Sequence, residues 1–295
     1  MRTLEALLFS TFGAGLFPMR RPLYFKEYII RPCETQEEFV ECVKLQKQVF
    51  GYAEGEAYPQ RLFVNLTHIG GHVLGAFAST GELVGFVASM PAWRSEDHGE
   101  RYYHSLSLGV LPGHENRGLG RELKMAQRSA AIAAGIDCIE WTYDPLRAKN
   151  AFLNIERLGA IVRRYLPNYY GRVGSRLQQG LPSDRLVAEW WLMSTRVRQA
   201  LEGNSPHRST SKVAATVAIP SDFAALADKD PAAARAQQSL VRQQLQDCFA
   251  RGLAITGVKR DGSTYCYLLD EWNYKRRQKP QRRSSRLLKN PFWRS

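Results

Sequence analysis

The chain has 295 residues, of which 44% are hydrophobic, and a formal net charge of +13. This length can bury a full hydrophobic core, and the sequence has no apolar run of about 18 residues that would indicate a membrane-spanning helix. Nine Lys and Arg residues and no acidic residue lie between Asn273 and Ser295. The other 272 residues therefore have a net charge of only +4, which argues against a nucleic-acid-binding domain.

Two features bear on where the protein resides. The first residues resemble a secretory signal, but Glu5 interrupts the apolar stretch and no small-residue cleavage site precedes Met19. We therefore predict an N-terminal arm over residues 1–25. The five cysteines are odd in number and lack metal-site spacing, which predicts reduced thiols, no metal and a cytoplasmic location.

The first part of the chain predicts a strand, a helix, a hairpin and a further strand, in that order. The first strand covers residues 28–33. Thr35 and Glu38 then have the spacing of a capping box, followed by apolar residues at helical spacing. Two apolar runs on either side of Thr80–Gly81 predict the hairpin, and the apolar run that Pro112 ends predicts the next strand.

The middle of the chain alternates helices and strands. Apolar residues at helical spacing from Leu119 predict a helix that Gly135 ends. Residues 137–144 predict a strand, Gly159 ends the helix that follows it, and two further strands come next. This order predicts an α/β or α+β fold, in which helices cover a mixed sheet.

The C-terminal part is predicted to extend this fold. Residues 197–213 are polar and predict a linker. A short strand, a long helix at 231–251 and a hairpin turning at Asp261–Gly262 predict a small α/β extension over residues 214–272. The basic segment 273–295 predicts a disordered tail that attracts polyanions without specificity.

Residues 108–123, LGVLPGHENRGLGREL, join a predicted strand to a predicted helix through a glycine-rich turn. The first turn of a helix has unpaired backbone N–H groups, and the positive end of the helix dipole lies there. Gly118 and Gly120 let this backbone approach a ligand closely, and Arg117 and Arg121 add positive charge. The junction therefore predicts a cradle for a pyrophosphate, although such a turn can also be purely structural.

The same stretch resembles the acyl-CoA-binding motif of the GCN5-related N-acetyltransferase (GNAT) superfamily. Val110 and Gly118 stand eight residues apart, and Gly118–Leu119–Gly120 fits the Gly-x-Gly loop of that motif. The segment NAFLNIERLGA, which begins at Asn150, extends the resemblance. The longer stretch that contains it, residues 139–171, resembles a bacterial branch of predicted acetyltransferases whose substrates are unknown.

The resemblance implies a fold and a ligand together. The fold is a GNAT-like mixed, mostly antiparallel sheet over residues 26–196, splayed at its centre between strands 102–111 and 137–144. The implied co-substrate is an acyl-CoA, by default acetyl-CoA, with its pantetheine between the splayed strands. The residues expected to bind it are Leu108, Gly109, Val110, Arg117, Gly118, Leu119, Gly120, Arg121 and Asn150. Asn150 is equally well explained as a residue at the start of a helix.

The sequence departs from the family pattern at two positions. Glu115 places a carboxylate where the family has Gln or Arg, close to the expected pyrophosphate. Ile155 stands where many members have a tyrosine that protonates the leaving thiolate, and Asn154, Tyr165, Tyr169 or water are the alternatives for that role.

The reaction also requires a group that removes a proton from the acceptor amine. His104, near the start of the splayed strand, is the first choice for this base, and Glu140 on the neighbouring strand is the second. His104 can equally be a packed or surface histidine, and Glu140 a paired acid at the end of the sheet.

The leading hypothesis is an N-acyltransferase that moves an acyl group directly from acyl-CoA to an amine in a ternary complex. We expect a small-molecule acceptor, no specific nucleic acid or membrane partner, and a monomer or homodimer. The alternative hypothesis is an acyl-CoA-binding sensor without turnover, which Glu115 and Ile155 favour.

Overall fold

The computed structural model describes residues 22–94, 100–171, 180–204, 213–262 and 264–272. The strands within these ranges are β1 (Leu23–Phe25), β2 (Tyr28–Pro32), β3 (His72–Phe77), β4 (Leu83–Arg94), β5 (Glu100–Val110), β6 (Cys138–Tyr143), β7 (Ile161–Leu166), β8 (Arg185–Trp191), β9 (Ala215–Pro220), β10 (Leu253–Asp261) and β11 (Thr264–Glu271). The helices are α1 (Gln36–Phe50), α2 (Gln60–His68), α3 (Leu119–Ala133), α4 (Ala148–Phe152), α5 (Thr195–Leu201), α6 (Phe223–Lys229) and α7 (Pro231–Ala250). A π-helical turn, Leu153–Arg157, continues α4.

The described strands form one sheet in the spatial order β1-β2-β3-β4-β5-β6-β8-β7-β10-β11-β9. Among the recorded pairs only β5 and β6 run parallel, and the other neighbours are antiparallel. This mixed, mostly antiparallel sheet flanked by helices confirms the predicted fold class.

Helices cover both faces of the sheet. Successive residues of a strand point to opposite faces, so Val73 and Leu74 of β3 belong to different cores. Val73 packs in the cluster of α1 and α2, which includes Phe39 and Phe63, whereas Leu74 packs in the cluster that contains Leu123 of α3. The helices α1 and α2 therefore lie on one face, and α3 lies on the other.

Helix α1 begins as its sequence predicts. The Thr35 hydroxyl accepts a hydrogen bond from the Glu38 backbone N–H at 3.2 Å, and the Glu38 carboxylate accepts one from the Thr35 N–H at 3.3 Å. This reciprocal capping box satisfies two backbone donors that a helix start otherwise leaves unpaired. Gly51 ends the helix with φ +66°, a left-handed conformation that glycine adopts without strain.

Three short elements escaped the sequence analysis. Leu23–Phe25 form β1, which pairs with β2, so the sheet begins three residues inside the segment predicted to be an arm. Helix α2 has no side-chain cap at Pro59 and only nine residues, so it offers few sequence signals. Helix α5 overlaps the first part of the predicted linker, and the Ser194 hydroxyl caps its first turn.

The C-terminal elements continue the same sheet. β10 pairs with β7 through Ile255 and Val162, and β11 and β9 follow. The buried Arg196 of α5 donates hydrogen bonds to the carbonyls of Ile155, Gly159 and Thr256. These bonds tie the π-helical turn to β10. The boundaries 26–196 and 214–272 stay predictions, and residues 1–21 and the tail 273–295 lie outside the described part.

Candidate functional site

Strands β5 and β6 separate soon after they meet. Their parallel pairing joins Tyr103 to Ile139 and His104 to Glu140. Beyond this point β5 continues to Val110 with β4 on its other side, and β6 continues next to β8. The backbone edge of β5 after His104 therefore faces a gap, where an extended ligand can pair with it as an added strand does.

A cavity of about 550 Å³ fills this gap. Ser105–Leu108 and Trp141–Asp144 form its walls. From the face that α1 and α2 cover, the lining residues are Phe50, Tyr52, Glu56 and Tyr58. From the face that α3 and α4 cover, they include Lys124, Asn150, Leu153 and Asn154. The cavity thus reaches both faces of the sheet, and its volume is typical of small-ligand sites.

The glycine junction leads directly from β5 into α3. Gly118 is the N-cap of α3 with φ +93°, a conformation that L side chains rarely adopt, and no side chain caps the first turn. At Gly120 an added Cβ would contact only the Leu108 side chain, at 3.6 Å, so close packing does not require a glycine at this position. The first turn of α3 consequently presents unpaired backbone N–H groups at an open surface.

Comparison with known proteins assigns this arrangement to a family. Residues 37–159 match the model of the acetyltransferase (GNAT) family. Over these residues the chain matches the GNAT family. The matched segment contains the diverging strands, the glycine junction and α4, which confirms the resemblance that the motif indicated. No curated protein sequence matches the chain.

Solved structures of acetyltransferases are also similar to part of this chain. An acetyltransferase of the GNAT family from Streptococcus pneumoniae shares 17% identity, with 55% of this chain and 98% of that chain covered and a TM-score of 0.44. The ribosomal-protein-S5-alanine acetyltransferase from Vibrio fischeri shares 14% identity, with 59% and 98% covered and a TM-score of 0.47. NAA60 of Arabidopsis thaliana in complex with acetyl-CoA shares 14% identity, with 56% and 99% covered and a TM-score of 0.44.

The two arginines of the glycine junction contact acidic residues. Arg117 donates a hydrogen bond to Glu27 at 3.1 Å, and its own carbonyl accepts one from Lys26 at 3.0 Å. Arg121 donates to the neighbouring Glu122 at 2.9 Å. All of these ion pairs are at least partly exposed, where such contacts are weak and exchange readily. Lys26, in the turn between β1 and β2, is a third cation beside the junction that the sequence analysis did not identify.

The three predicted cofactor-binding residues of β5 have different surroundings. Leu108 lines the cavity. Gly109 is explained by packing, because a Cβ there would lie 2.9 Å from the Leu45 side chain of α1. Val110 packs with Leu119 in the core beneath α3. Any contact of Gly109 or Val110 with a ligand is therefore a backbone contact.

The two predicted bases lie side by side where the strands separate. Glu140 is buried, and Arg94 and Arg164 both form ion pairs with its carboxylate. His104 is paired with Glu140 in the parallel register and does not line the cavity. Burial lowers the pKa of His104, although the nearby Glu140 raises it in part. The imidazole is therefore neutral near pH 7 and able to accept a proton.

Two asparagines line the cavity from α4 and the π-helical turn. Asn150 is exposed at the rim. Asn154 is 2% exposed, and its Nδ2 has no hydrogen-bond partner among the described residues. A buried amide donor without a partner is unfavourable unless a ligand or water accepts its hydrogen bond. Ile155 is fully buried and does not line the cavity.

Lys124 is the main residue of the site that the sequence analysis missed. It lies on the buried face of α3 with Gln127, among the apolar residues Leu119 and Leu123. A polar residue inside an apolar helical stripe is a signal that the sequence contains. Only the tertiary structure shows that the Lys124 side chain borders the cavity.

The described residues contain no helix that is long and apolar enough to cross a membrane. Within the same ranges, no group of three or more His, Cys, Asp and Glu side chains has an arrangement that could hold a metal ion.

Proposed function

We propose that this protein is an acyl-CoA-dependent N-acyltransferase, with acetyl-CoA as the default donor, that transfers the acyl group directly to an amine. The observation that carries the proposal is the cavity of about 550 Å³ between the diverging strands of a GNAT domain. Because it reaches both faces of the sheet, a donor and an acceptor can enter from opposite sides and meet between the strands.

The residues of the α3 side suit a CoA thioester. The uncapped first turn of α3, from Gly118 to Arg121, offers backbone donors to a pyrophosphate. The edge of β5 near Leu108 offers backbone groups to pantetheine and to the thioester carbonyl, whose developing negative charge such donors stabilise. The unpartnered Asn154 amide offers a further donor inside the cavity. Bound acyl-CoA supplies an activated acyl group, so the task of the protein is positioning and proton transfer.

The acceptor must reach the site as a neutral amine. An alkylammonium with a pKa of about 10.4 is roughly three units above neutral pH, which corresponds to about 4 kcal/mol. We assign the base to His104, acting through water because it does not line the cavity. We give Glu140 a positioning role, since two arginines already occupy its carboxylate.

The α1–α2 side of the cavity suits a small-molecule amine. Four aromatic side chains border it: Phe50, Tyr52, Tyr58 and Tyr170. Burial raises the pKa of Tyr58 to about 12, so its phenol remains a hydrogen-bond donor at neutral pH. Glu56 lines the same region and adds a carboxylate that attracts a cationic amine.

Direct transfer in a ternary complex agrees with the placement of the cysteines. Among the described lining residues there is no cysteine. Cys138, at the start of β6, is buried, and burial raises the pKa of its thiol far above neutrality. A thiol in this state is a poor nucleophile, so we expect no acyl-cysteine intermediate.

The proposal is tested by thiol release from acetyl-CoA in the presence of a panel of amines, with Gly120→Asp and Gly120→Ala compared. Aspartate in the first turn of a helix is compatible with folding, but it places a negative charge against the pyrophosphate. We expect Gly120→Asp to raise the KM for acetyl-CoA at least about tenfold, while Gly120→Ala changes it little. Equal KM values for acetyl-CoA in Gly120→Asp and the wild type would contradict pyrophosphate binding at the first turn of α3. No thiol release with any amine would contradict the acyltransferase activity.

A second candidate is an acyl-CoA sensor without turnover. Glu115 near the junction and the buried aliphatic Ile155 favour it, because neither supports rapid transfer. If the protein is a sensor, acetyl-CoA binding raises its melting temperature, and no thiol is released from acetyl-CoA when amines are added. The cytoplasmic location, the monomer or homodimer, and the absence of a nucleic-acid partner stay predictions.

A further inference from the structure

Lys124 is a buried amine at the wall of the cavity. It lies on α3, the helix that begins at Gly118, and the residue is 5% exposed. Its Nζ donates hydrogen bonds to Ser105 Oγ and Gln127 Oε1, both at 3.0 Å. Ser105 belongs to β5 and lines the cavity together with Lys124. The amine is therefore held where β5 leaves β6.

A polar network fixes the position of this amine. Gln127 Nε2 donates to Ser89 Oγ at 2.6 Å and to Ser105 Oγ at 2.9 Å. Lys124 Nζ also lies 3.8 Å from the centre of the Trp141 ring, whose face favours the cationic form. Lys124 thus contacts Ser105 on β5, Trp141 on β6 and Gln127 on α3, and Gln127 connects it to Ser89 on β4. The network holds the ammonium beside Ser105 without neutralising it.

The described residues place no carboxylate within ion-pair distance of Lys124. Lysines are almost never fully buried unless they are paired, and burying an unpaired charge is strongly unfavourable. An apolar side chain would pack at this position without the desolvation penalty, so core stability does not explain the lysine.

The titration of Lys124 suits proton transfer. Burial lowers its pKa to about 7, so its charged and neutral forms coexist at neutral pH. Two histidines of nearby strands, His72 on β3 and His104 on β5, interact electrostatically with Lys124, and Glu140 on β6 is paired with His104. Burial lowers the pKa of both histidines, and the charge of Lys124 lowers each further. Both histidines are therefore neutral when Lys124 is charged.

Transfer from a thioester requires a proton for the departing sulfur. A thiol has a pKa of about 8.5, and an acid with a pKa near the working pH transfers its proton to such a thiolate favourably. The lining residues of α4 and its π-helical turn, Asn150, Leu153 and Asn154, have no acidic proton, and Ile155 is aliphatic and buried. Lys124 enters from the same face of the sheet.

We propose that Lys124 is the general acid that protonates the thiolate of CoA as it leaves, an inference that rests on the proposed acyltransferase function. The C–N bond to the acceptor forms as the C–S bond breaks. The sulfur takes one proton from the Lys124 ammonium, which becomes a neutral amine. The attacking amine gives one proton to His104 through water. Before the next turnover His104 releases this proton to solvent, and solvent reprotonates Lys124.

The test compares the wild type with Lys124→Met and Lys124→Gln, and uses Lys229→Met, on the exposed end of α6, as the matched control. With acetyl-CoA we expect kcat to fall about 100-fold in both Lys124 variants, with little change in KM for the donor. In the wild type kcat should decline as pH rises through the pKa of Lys124, and this alkaline decline should disappear in the variants.

An acyl donor whose leaving group needs no proton distinguishes a catalytic role of Lys124 from a structural one. Acetyl thionitrobenzoate releases an arylthiolate that leaves without a proton, so the wild type and the Lys124 variants should differ by less than about threefold with it. An equal loss with both donors, or full kcat of Lys124→Met with acetyl-CoA, overturns the assignment while the transferase stands. A wild type that releases no thiol from acetyl-CoA overturns the proposed function, and the role of Lys124 with it.

Discussion

Replacing Lys124 by methionine should stabilise the protein, by an amount that depends on pH. The residue is 5% exposed, and burial lowers the pKa of the amine from 10.5 to about 7. Methionine has an unbranched, flexible side chain that fills much of the same space without a charge. The substitution therefore removes the desolvation penalty of the ammonium and leaves the packing of α3 on the sheet largely intact.

The magnitude follows from the pKa difference between the unfolded and folded states. One pKa unit corresponds to about 1.4 kcal/mol, so below pH 7 the charged amine destabilises the wild type by roughly 5 kcal/mol. Between pH 7 and 10.5 the unfolded chain binds a proton that the folded chain does not, so wild-type stability rises with pH there. The advantage of Lys124→Met should therefore shrink by roughly 3 kcal/mol from pH 6 to pH 9.

The lost hydrogen bonds to Ser105 and Gln127 each lower the stability of the variant by about 1 kcal/mol at every pH, which leaves the pH-dependent part unchanged. The measurement is urea unfolding of the wild type, Lys124→Met and Lys229→Met at pH 6 and pH 9. Groups that titrate in all three proteins cancel in the differences. A stability difference between the wild type and Lys124→Met that is the same at both pH values would refute the depressed pKa of Lys124.

Three further substitutions test the local structure around the site. Thr35→Ala should lower the free energy of unfolding by about 1 kcal/mol in urea, because the capping box with Glu38 is lost; an unchanged value would contradict the role of the cap. Gly159→Ala should cost more than about 2 kcal/mol, because φ is +77° and the new Cβ would lie 2.9 Å from the Val197 Cα; wild-type thermal stability would show that the turn adapts. Asn154→Leu should retain or raise the melting temperature, since its Nδ2 has no partner among the described residues, while kcat with acetyl-CoA falls about tenfold. A melting temperature that drops with kcat unchanged would mean that Asn154 serves only the core.

Much of the fold was predictable because the signals are local. The capping box at Thr35 and the glycine junction both depend on hydrogen bonds or backbone angles within a few residues. β1 and α2 were not predictable, because three residues show no alternation and Pro59 provides no side-chain cap. Both depend on neighbours that are distant in sequence.

The candidate site also has features that were predictable from the sequence and features that were not. The glycine turn that begins α3 at Gly118 was predicted, since a strand, a glycine and a helix follow one another in the chain. The role of residues 118–121 as a pyrophosphate cradle stays a prediction. The surroundings of Glu140 were not, because Arg94 and Arg164 reach it from strands on either side of β6. Its paired state was one of the two alternatives that the sequence left open.

The sequence by itself determined where strand and helix meet, and thereby the resemblance to the GNAT family, because the turn depends on the consecutive residues 108–123. Only the tertiary structure decided the pKa of Lys124, whose contacts Ser105 and Trp141 lie on two different strands. The physical reason is that burial sums over all segments packed against a side chain, and the charge of an amine responds to that sum rather than to its sequence neighbours.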